Sequence, residues 1–177
     1  GPFTPSSSHF IQERMDVTIM KTGYVTEHVH NTKVGDRVGL RGPYGSHYPL
    51  EKFHGKDLLI LGGGCGLAPL RSLFTTLLHE VEKYNSITFM AGAKTPKDCI
   101  YKDEATEWRQ YPNVQFLRAV DVVPKGEEWD EEVGVVTVLL KNLDIDPASN
   151  PAVVCGPPVM MKYGTFDLLE MGYKEEN

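Results

Sequence analysis

The sequence predicts an α/β protein: a doubly wound parallel sheet of the five-stranded type, preceded by a segment made only of strands and loops. Three observations predict it. A short apolar run, Leu58-Leu59-Ile60-Leu61, stops in Gly62-Gly63-Gly64-Cys65-Gly66 and gives way to a helical pattern. From Lys56 onward, strand-like and helix-like patterns alternate, which implies parallel pairing with helices on both faces. A second glycine-bearing strand end, Val153-Val154-Cys155-Gly156-Pro157-Pro158, lies far downstream.

The elements follow in order. Residues 16–21 alternate in polarity and predict a half-buried strand. Gly23 ends it, and a short polar stretch runs to Thr32. Lys33-Val34-Gly35-Asp36 predicts a turn. Residues 37–41 predict another strand, closed by Gly42-Pro43-Tyr44-Gly45. This region has no room for a core of its own, so a boundary is expected near residues 46–56, dividing the chain into 1–50 and 55–177. Strand 57–61 leads to an amphipathic helix over roughly 67–83, with Leu70, Leu73, Phe74, Leu77, Leu78 and Val81 on one face. Strand 86–91, a helix near 101–110 and strand 114–120 come next. Residues 135–141 predict a helix despite their β-branched residues. Strand 152–155 and a helix over about 158–171 finish the pattern. No internal repeat or low-complexity tract interrupts it.

Composition narrows the function classes. Of 177 residues, 41% are hydrophobic and 24% charged, the balance of a globular domain. A net charge of −6 argues against nucleic acid or an anionic membrane as partner. No apolar run approaches the ~20 residues of a membrane span, and no signal-peptide pattern opens the chain. Both ends read as cut. Cys65, Cys99 and Cys155 are isolated and lack C-x-x-C spacing, so neither a disulfide framework nor a Cys-rich metal site is expected, and free thiols fit a reducing cytoplasm. The six histidines do not combine with carboxylates at ligand spacing. The acidic run Glu127, Glu128, Asp130, Glu131 and Glu132 reads as a solvated loop, with a docking patch as the sharper alternative.

The glycine turn carries the chemistry. In a doubly wound sheet, ligands bind beyond the carboxyl ends of the strands. Glycines let the backbone turn tightly and approach phosphates closely. A helix opening near Pro69 presents unpaired N–H groups and a positive dipole end. Leu67 stands where the generic dinucleotide fingerprint has its third glycine.

The full string Gly62-Gly63-Gly64-Cys65-Gly66-Leu67-Ala68-Pro69 resembles the pyridine-nucleotide loop of the ferredoxin–NADP reductase superfamily, G-x-G-x-G-[IL]-A-P. Cys155-Gly156-Pro157-Pro158-x-Met160 is similar to that family's C-G-P-P-x-M, which lies beside the nicotinamide and whose cysteine flanks the hydride-transfer position. Phe3-Thr4-Pro5-Ser6-Ser7 resembles its flavin motif, R-x-[YF]-[ST]-x-x-[SN], with Gly1 where the motif has arginine. The resemblance implies that residues 1–50 are the C-terminal part of an antiparallel FAD-binding β-barrel and residues 55–177 an NAD(P)-binding domain. It places Phe3 on the isoalloxazine, Thr4 near its N5, and the strand holding Ile19 and Lys21 along the ribityl chain and diphosphate. It reads Gly23-Tyr24-Val25-Thr26 as a G-x-x-[ST] turn, with Thr26 capping a helical turn at the pyrophosphate.

Asp121, just after strand 114–120, bears on the choice of nicotinamide cofactor. A carboxylate there accepts hydrogen bonds from a ribose and repels a 2′-phosphate, which favours NAD(H). Lys94 and Lys97 keep NADP(H) open. The wording of Gly-Tyr-Val-Thr-Glu, Arg41-Gly42-Pro43-Tyr44-Gly45 and Met171-Gly172-Tyr173 is similar to the electron-transfer (gamma) subunits of soluble nickel–iron hydrogenases and to the electron-transfer subunits of anaerobic sulfite reductases. That resemblance implies hydride transfer between NAD(P)H and FAD, onward electron transfer to an iron–sulfur protein, and partnership with other redox subunits. A [2Fe–2S] cluster is expected only outside this chain. The alternative is a non-catalytic dinucleotide-binding module for sensing or assembly.

Overall fold

Residues 1–175 are described by a computed structural model. Its centre is a five-stranded, all-parallel sheet of order β4-β3-β2-β1-β5. The strands are β1 (Asp57–Gly63), β2 (Ser86–Ala93), β3 (Val114–Val120), β4 (Glu132–Val133) and β5 (Ala152–Cys155). The helices are α1 (Tyr24–His30), α2 (Leu67–His79), α3 (Lys102–Trp108) and α4 (Pro158–Glu170). The chain winds outward from β1 to β4 and then returns to lay β5 against the other side of β1. The crevice where winding changes direction is therefore at the carboxyl ends of β1 and β5.

Strand geometry explains both halves of the core. Successive side chains of β1 point to opposite faces. Leu58 and Ile60 join Leu70, Phe74, Phe89, Trp108 and Phe116 beneath α2 and α3. Leu59 and Leu61 join Met90, Leu139, Leu140 and Leu168 beneath α4 and a 3-10 segment, Val136–Asn142. Every residue from Leu58 to Gly63 is buried, so the run reads as continuous rather than alternating, as a strand covered on both faces must. Each fully buried Leu, Ile or Phe contributes about 1.5–3 kcal/mol. Trp108 meets Phe74 and Phe116 edge-on, at ring-centre distances of 5.1 and 4.9 Å, the arrangement aromatic quadrupoles favour.

Three expectations need correction. Residues 16–21 and 37–41 form no strand, and among the described residues none before Asp57 joins the sheet. Alternating polarity marks a face, but a strand also needs a ladder partner. The first segment has a backbone bond to the Ser-rich stretch, Ser6 N–H to Asp16 O at 2.8 Å, but no strand ladder, and residues 37–41 are exposed throughout. The antiparallel barrel segment is thus absent as a sheet. The expected helix over 135–141 is a 3-10 segment, because Val135, Val136, Thr137 and Val138 crowd a full α-turn. The helical turn expected at Thr26 extends into helix α1, and the two-residue edge strand β4 is an addition.

The Ser-rich stretch is not a loose tail. Ser6, Ser7 and Ser8 are buried against α2. Ser72 Oγ donates to Ser7 O at 2.8 Å, Thr76 Oγ1 to Ser8 Oγ at 3.1 Å, and Arg71 Nη1 to Ser6 O at 2.5 Å. Arg71 also grips Glu104 with Nε and Nη2 and lies over the Tyr101 ring. Tyr101 has φ 59°, the left-handed region rare for a bulky residue, and its hydroxyl donates to Thr18 at 2.7 Å. Residues from α2, α3 and the first twenty positions are thereby tied at one point.

Candidate functional site

The two glycine-bearing strand ends meet. Gly62 and Cys155 are register partners across β1 and β5. Beyond them, Gly64 takes φ +52° and abuts the Pro157 ring at 3.3 Å, measured from where a β-carbon would stand. Gly66 presses its backbone on the Cys155–Gly156 peptide. Met160 lies between the loops: a β-carbon on Gly63 or Gly156 would meet its sulfur at 2.8 Å. Much of the glycine demand therefore comes from the protein's own packing, which brings backbone to backbone and frees the turn's outer edge.

That edge opens α2. Gly66 is the N-cap residue and no side chain caps the helix, so its first N–H groups have no side-chain partner. Pro69 falls in the first turn, where an intrahelical N–H is not required. An open cleft of about 270 Å³ faces this end. Cys65, Ala68 and Pro69 form one wall; Phe3, Thr4, Thr18, Ile19, Met20, Thr22 and Thr26 form the other. The volume is at the lower end of small-molecule sites, roughly 300 Å³, enough for part of a dinucleotide. The uncapped helix start, the Thr4 and Thr22 hydroxyls and the Phe3 ring fit a phosphate-bearing aromatic group.

The remaining predicted residues are placed as follows. Thr26 Oγ1 accepts from the N–H groups of Thr22 and Gly23 at 2.8 and 3.0 Å and donates to Gly23 O at 2.9 Å. It secures the turn from the third position of α1, not from its N-cap, which is Gly23. Pro5 and Val25 are exposed. Lys21 is paired with Glu27 at 3.3 Å. Ser6 is buried away from the cleft and accepts from Thr18 Oγ1 at 2.9 Å. Leu67 is buried, and Pro158 opens α4. Asp121 is exposed at the end of β3, on the sheet edge that holds Gly63 and two strands away, which is about 10 Å at normal strand spacing.

Sequence reasoning gave no role to Thr18, Tyr48 and Tyr101, and read Glu127 only as part of an acidic run. Thr18 and Met20 line the cleft beside Ile19, which an alternating strand forbids. Tyr48 donates to Pro69 O at 3.3 Å and lies close enough to Cys155 for their charges to interact; burial, with Cys155 adding, pushes its hydroxyl above the ordinary range. No pattern around Tyr48 signals this. Burial also pushes the Cys155 thiol up, with Cys65 adding to it, so Cys155 is a neutral thiol near neutral pH. The acidic run is not simply solvated. Glu131 accepts from Arg109 Nη2 at 2.9 Å and Arg118 Nε at 2.8 Å, and Glu127 pairs with Lys97 at 2.9 Å.

Comparison with known proteins agrees with this geometry. Residues 60–165 match the family model of the oxidoreductase NAD-binding domain. The chain is 32% identical over 176 residues to the sulfhydrogenase 1 subunit gamma of Pyrococcus furiosus, covering 99% of this chain and 60% of that protein. The chain thus spans about 60% of the length of the curated relatives it matches. Among solved structures, the cytochrome b5 reductase domain of Ulva prolifera nitrate reductase superposes with a TM-score of 0.82 at 20% identity, covering 98% of this chain and 73% of that one. A ferredoxin NADP+ reductase from Neisseria gonorrhoeae with bound FAD and NADP superposes at 0.80 and 21% identity, covering 99% and 74%. The fold is that of ferredoxin–NADP reductase-type domains, as the motif resemblance implied. No helix among the described residues is long and apolar enough to cross a membrane.

Proposed function

The chain belongs to the oxidoreductase NAD-binding domain family, and from that premise we propose that it is the nucleotide-handling part of a flavin-dependent, electron-transferring oxidoreductase subunit. The observation that carries this is the registration of Gly62 with Cys155. It puts the phosphate-type loop and the thiol-bearing loop on one crevice, beside the cleft lined by Phe3 and Thr4. Residues 1–50 are read as the C-terminal part of an FAD-binding segment and residues 55–177 as the NAD(P)-binding domain.

When bound, the cofactors supply hydride transfer between nicotinamide and flavin, and the protein supplies position and electrostatics. The uncapped start of α2, with its positive dipole end, would hold pyrophosphate. Gly156, Pro157 and Pro158 shape a loop that would support the nicotinamide, and Met160 wedges that loop in place. Cys155, a neutral thiol, would present a weakly polar surface to the nicotinamide. Thr4 offers its hydroxyl at the flavin edge and Phe3 its ring. Asp121 favours NAD(H) over NADP(H). By analogy with the sulfhydrogenase gamma subunit, the partners are other redox subunits of a complex, with an iron–sulfur protein as electron acceptor. Three unpaired cysteines suit a reducing compartment such as the cytoplasm.

The test is spectroscopic. Supplied with FAD under anaerobic conditions, the protein should bleach its yellow absorbance on addition of NADH. A protein that binds NADH but leaves bound FAD oxidised would instead be the non-catalytic binding module.

A further inference from the structure

The loops that follow β2 and β3 are fastened together just where Asp121 emerges. Asp121 N–H donates to Ala93 O at 3.0 Å and Val122 N–H to Lys94 O at 3.1 Å. Farther out, Lys97 Nζ meets Glu127 Oε1 at 2.9 Å. The two partners differ sharply: the Lys97 side chain is 79% exposed and that of Glu127 only 13%. Glu127 Oε2 is buried and has no hydrogen-bond partner among the described residues. A turn, Glu127 N–H to Pro124 O at 3.0 Å, fixes the backbone that carries it.

We propose that Glu127 sets cofactor preference by holding Lys97, an exposed cation on the loop after β2, in an internal ion pair. This rests on the reading of the carboxyl edge as a nicotinamide-dinucleotide site. A lysine on a flexible stem with its head in solvent is free to reach a phosphate. Glu127 restrains that reach and offsets the lysine's charge, which tips the charge balance at this edge toward the Asp121 carboxylate. The buried Glu127 carboxylate is held in place by its backbone turn, so the exposed lysine is the partner that gives way when the pair is broken. Glu127 thus acts through Lys97, as a positioning residue for specificity.

The experiment compares binding of 5′-AMP and adenosine 2′,5′-bisphosphate to the full chain by titration calorimetry, which needs neither FAD nor turnover. The intact protein should prefer 5′-AMP. Glu127→Gln should shift the affinity ratio toward the bisphosphate by about tenfold, the worth of one charge-assisted contact, and the gain should shrink in high salt. Adding Lys97→Met to Glu127→Gln should abolish the gain. Loss of structure alone would weaken both nucleotides together and leave the ratio where it was.

An unchanged ratio in Glu127→Gln overturns the proposal, as does a gain that persists without Lys97. If 5′-AMP binds normally in those cases, the dinucleotide reading stands and only the role of Glu127 falls. If neither nucleotide binds the intact protein, the dinucleotide reading itself fails and takes this inference with it.

Discussion

Gly66 faces the carbonyl of Cys155 so closely that a β-carbon at position 66 would stand 2.2 Å from the oxygen. The oxygen belongs to backbone and the β-carbon is fixed by its own backbone, so no side chain can swing aside. Gly66→Ala must push apart the two loops that build the crevice. Overpacking costs about 1–3 kcal/mol, and the upper half of that range is expected in urea denaturation. NADH affinity should fall in parallel, since the start of α2 moves with the loop. Unchanged stability and binding would mean that the loops are not in contact in solution.

Cys155 separates chemistry from binding. Its side chain sits at the end of β5 as a neutral thiol, raised by burial and then by Cys65. Cys155→Ala should slow flavin reduction by NADH far more than it weakens NADH binding, measured by stopped-flow reduction and equilibrium titration. Equal losses in both would place the thiol away from the reacting carbon. Because its titration lies above the ordinary thiol range, the reduction rate should show no step from Cys155 between about pH 6 and 8.

Asp121 is exposed on the crevice edge, where a carboxylate and a 2′-phosphate repel. Asp121→Ser should raise the ratio of NADPH to NADH efficiency by about tenfold, one unfavourable charge contact removed. Steady-state kinetics with both nucleotides decide it, and unchanged selectivity would take Asp121 out of the argument.

Arg71 joins elements distant in sequence. Its guanidinium serves Glu104 and the Ser6 carbonyl and covers the Tyr101 ring. Arg71→Met keeps the stem and removes the donors. The cost should be about 1.5–3 kcal/mol, the range for hydrogen bonds to charged groups. Hydrogen exchange should show it locally: amides of residues 4–18 lose protection, while those of β1, β2 and β3 keep theirs. A uniform loss across the sheet would contradict a local clamp.

The contrast between what the residues foretold and what they did not has a physical basis. Val114–Val120 and Ala152–Cys155 coincide with their predicted spans, and β1 and β2 extend theirs by two residues, because apolar runs bounded by glycine or polar residues admit few alternatives inside a two-faced sheet. The crevice was legible from Gly62–Pro69 and Cys155–Met160, since backbone approach demands glycine at fixed places. Residues 16–21 and 37–41 misled, because alternation describes a face and not a neighbour. Strand β4 was invisible, being two residues long and placed only by pairing of Glu132 with Ala119 and Val133 with Val120. Tyr101, Tyr48 and Glu127 act through contacts across the fold, and no local pattern encodes such contacts.

Glu131 links the acidic run to acid stability. Burial pushes its carboxyl up, but hydrogen bonds and charge from Arg118 and Arg109 outweigh burial and hold it below the usual range. The backbone N–H of Arg118 donates to its other oxygen at 3.0 Å, and the cluster adjoins the short pairing of β3 with β4. A carboxylate whose folded value is depressed contributes stability that is fully present above its unfolded value, about 4.3. That contribution is lost as pH falls through the lower folded value. Glu131→Gln should therefore be less stable than the parent at pH 7, on the order of 1–2 kcal/mol. The gap should close progressively in the acid range below about pH 4, where the parent's own carboxyl takes up its proton. Thermal unfolding of both proteins at stepped pH tests this. A gap that stays constant through the acid range would show that Glu131 contributes through packing and neutral hydrogen bonds and not through its charge.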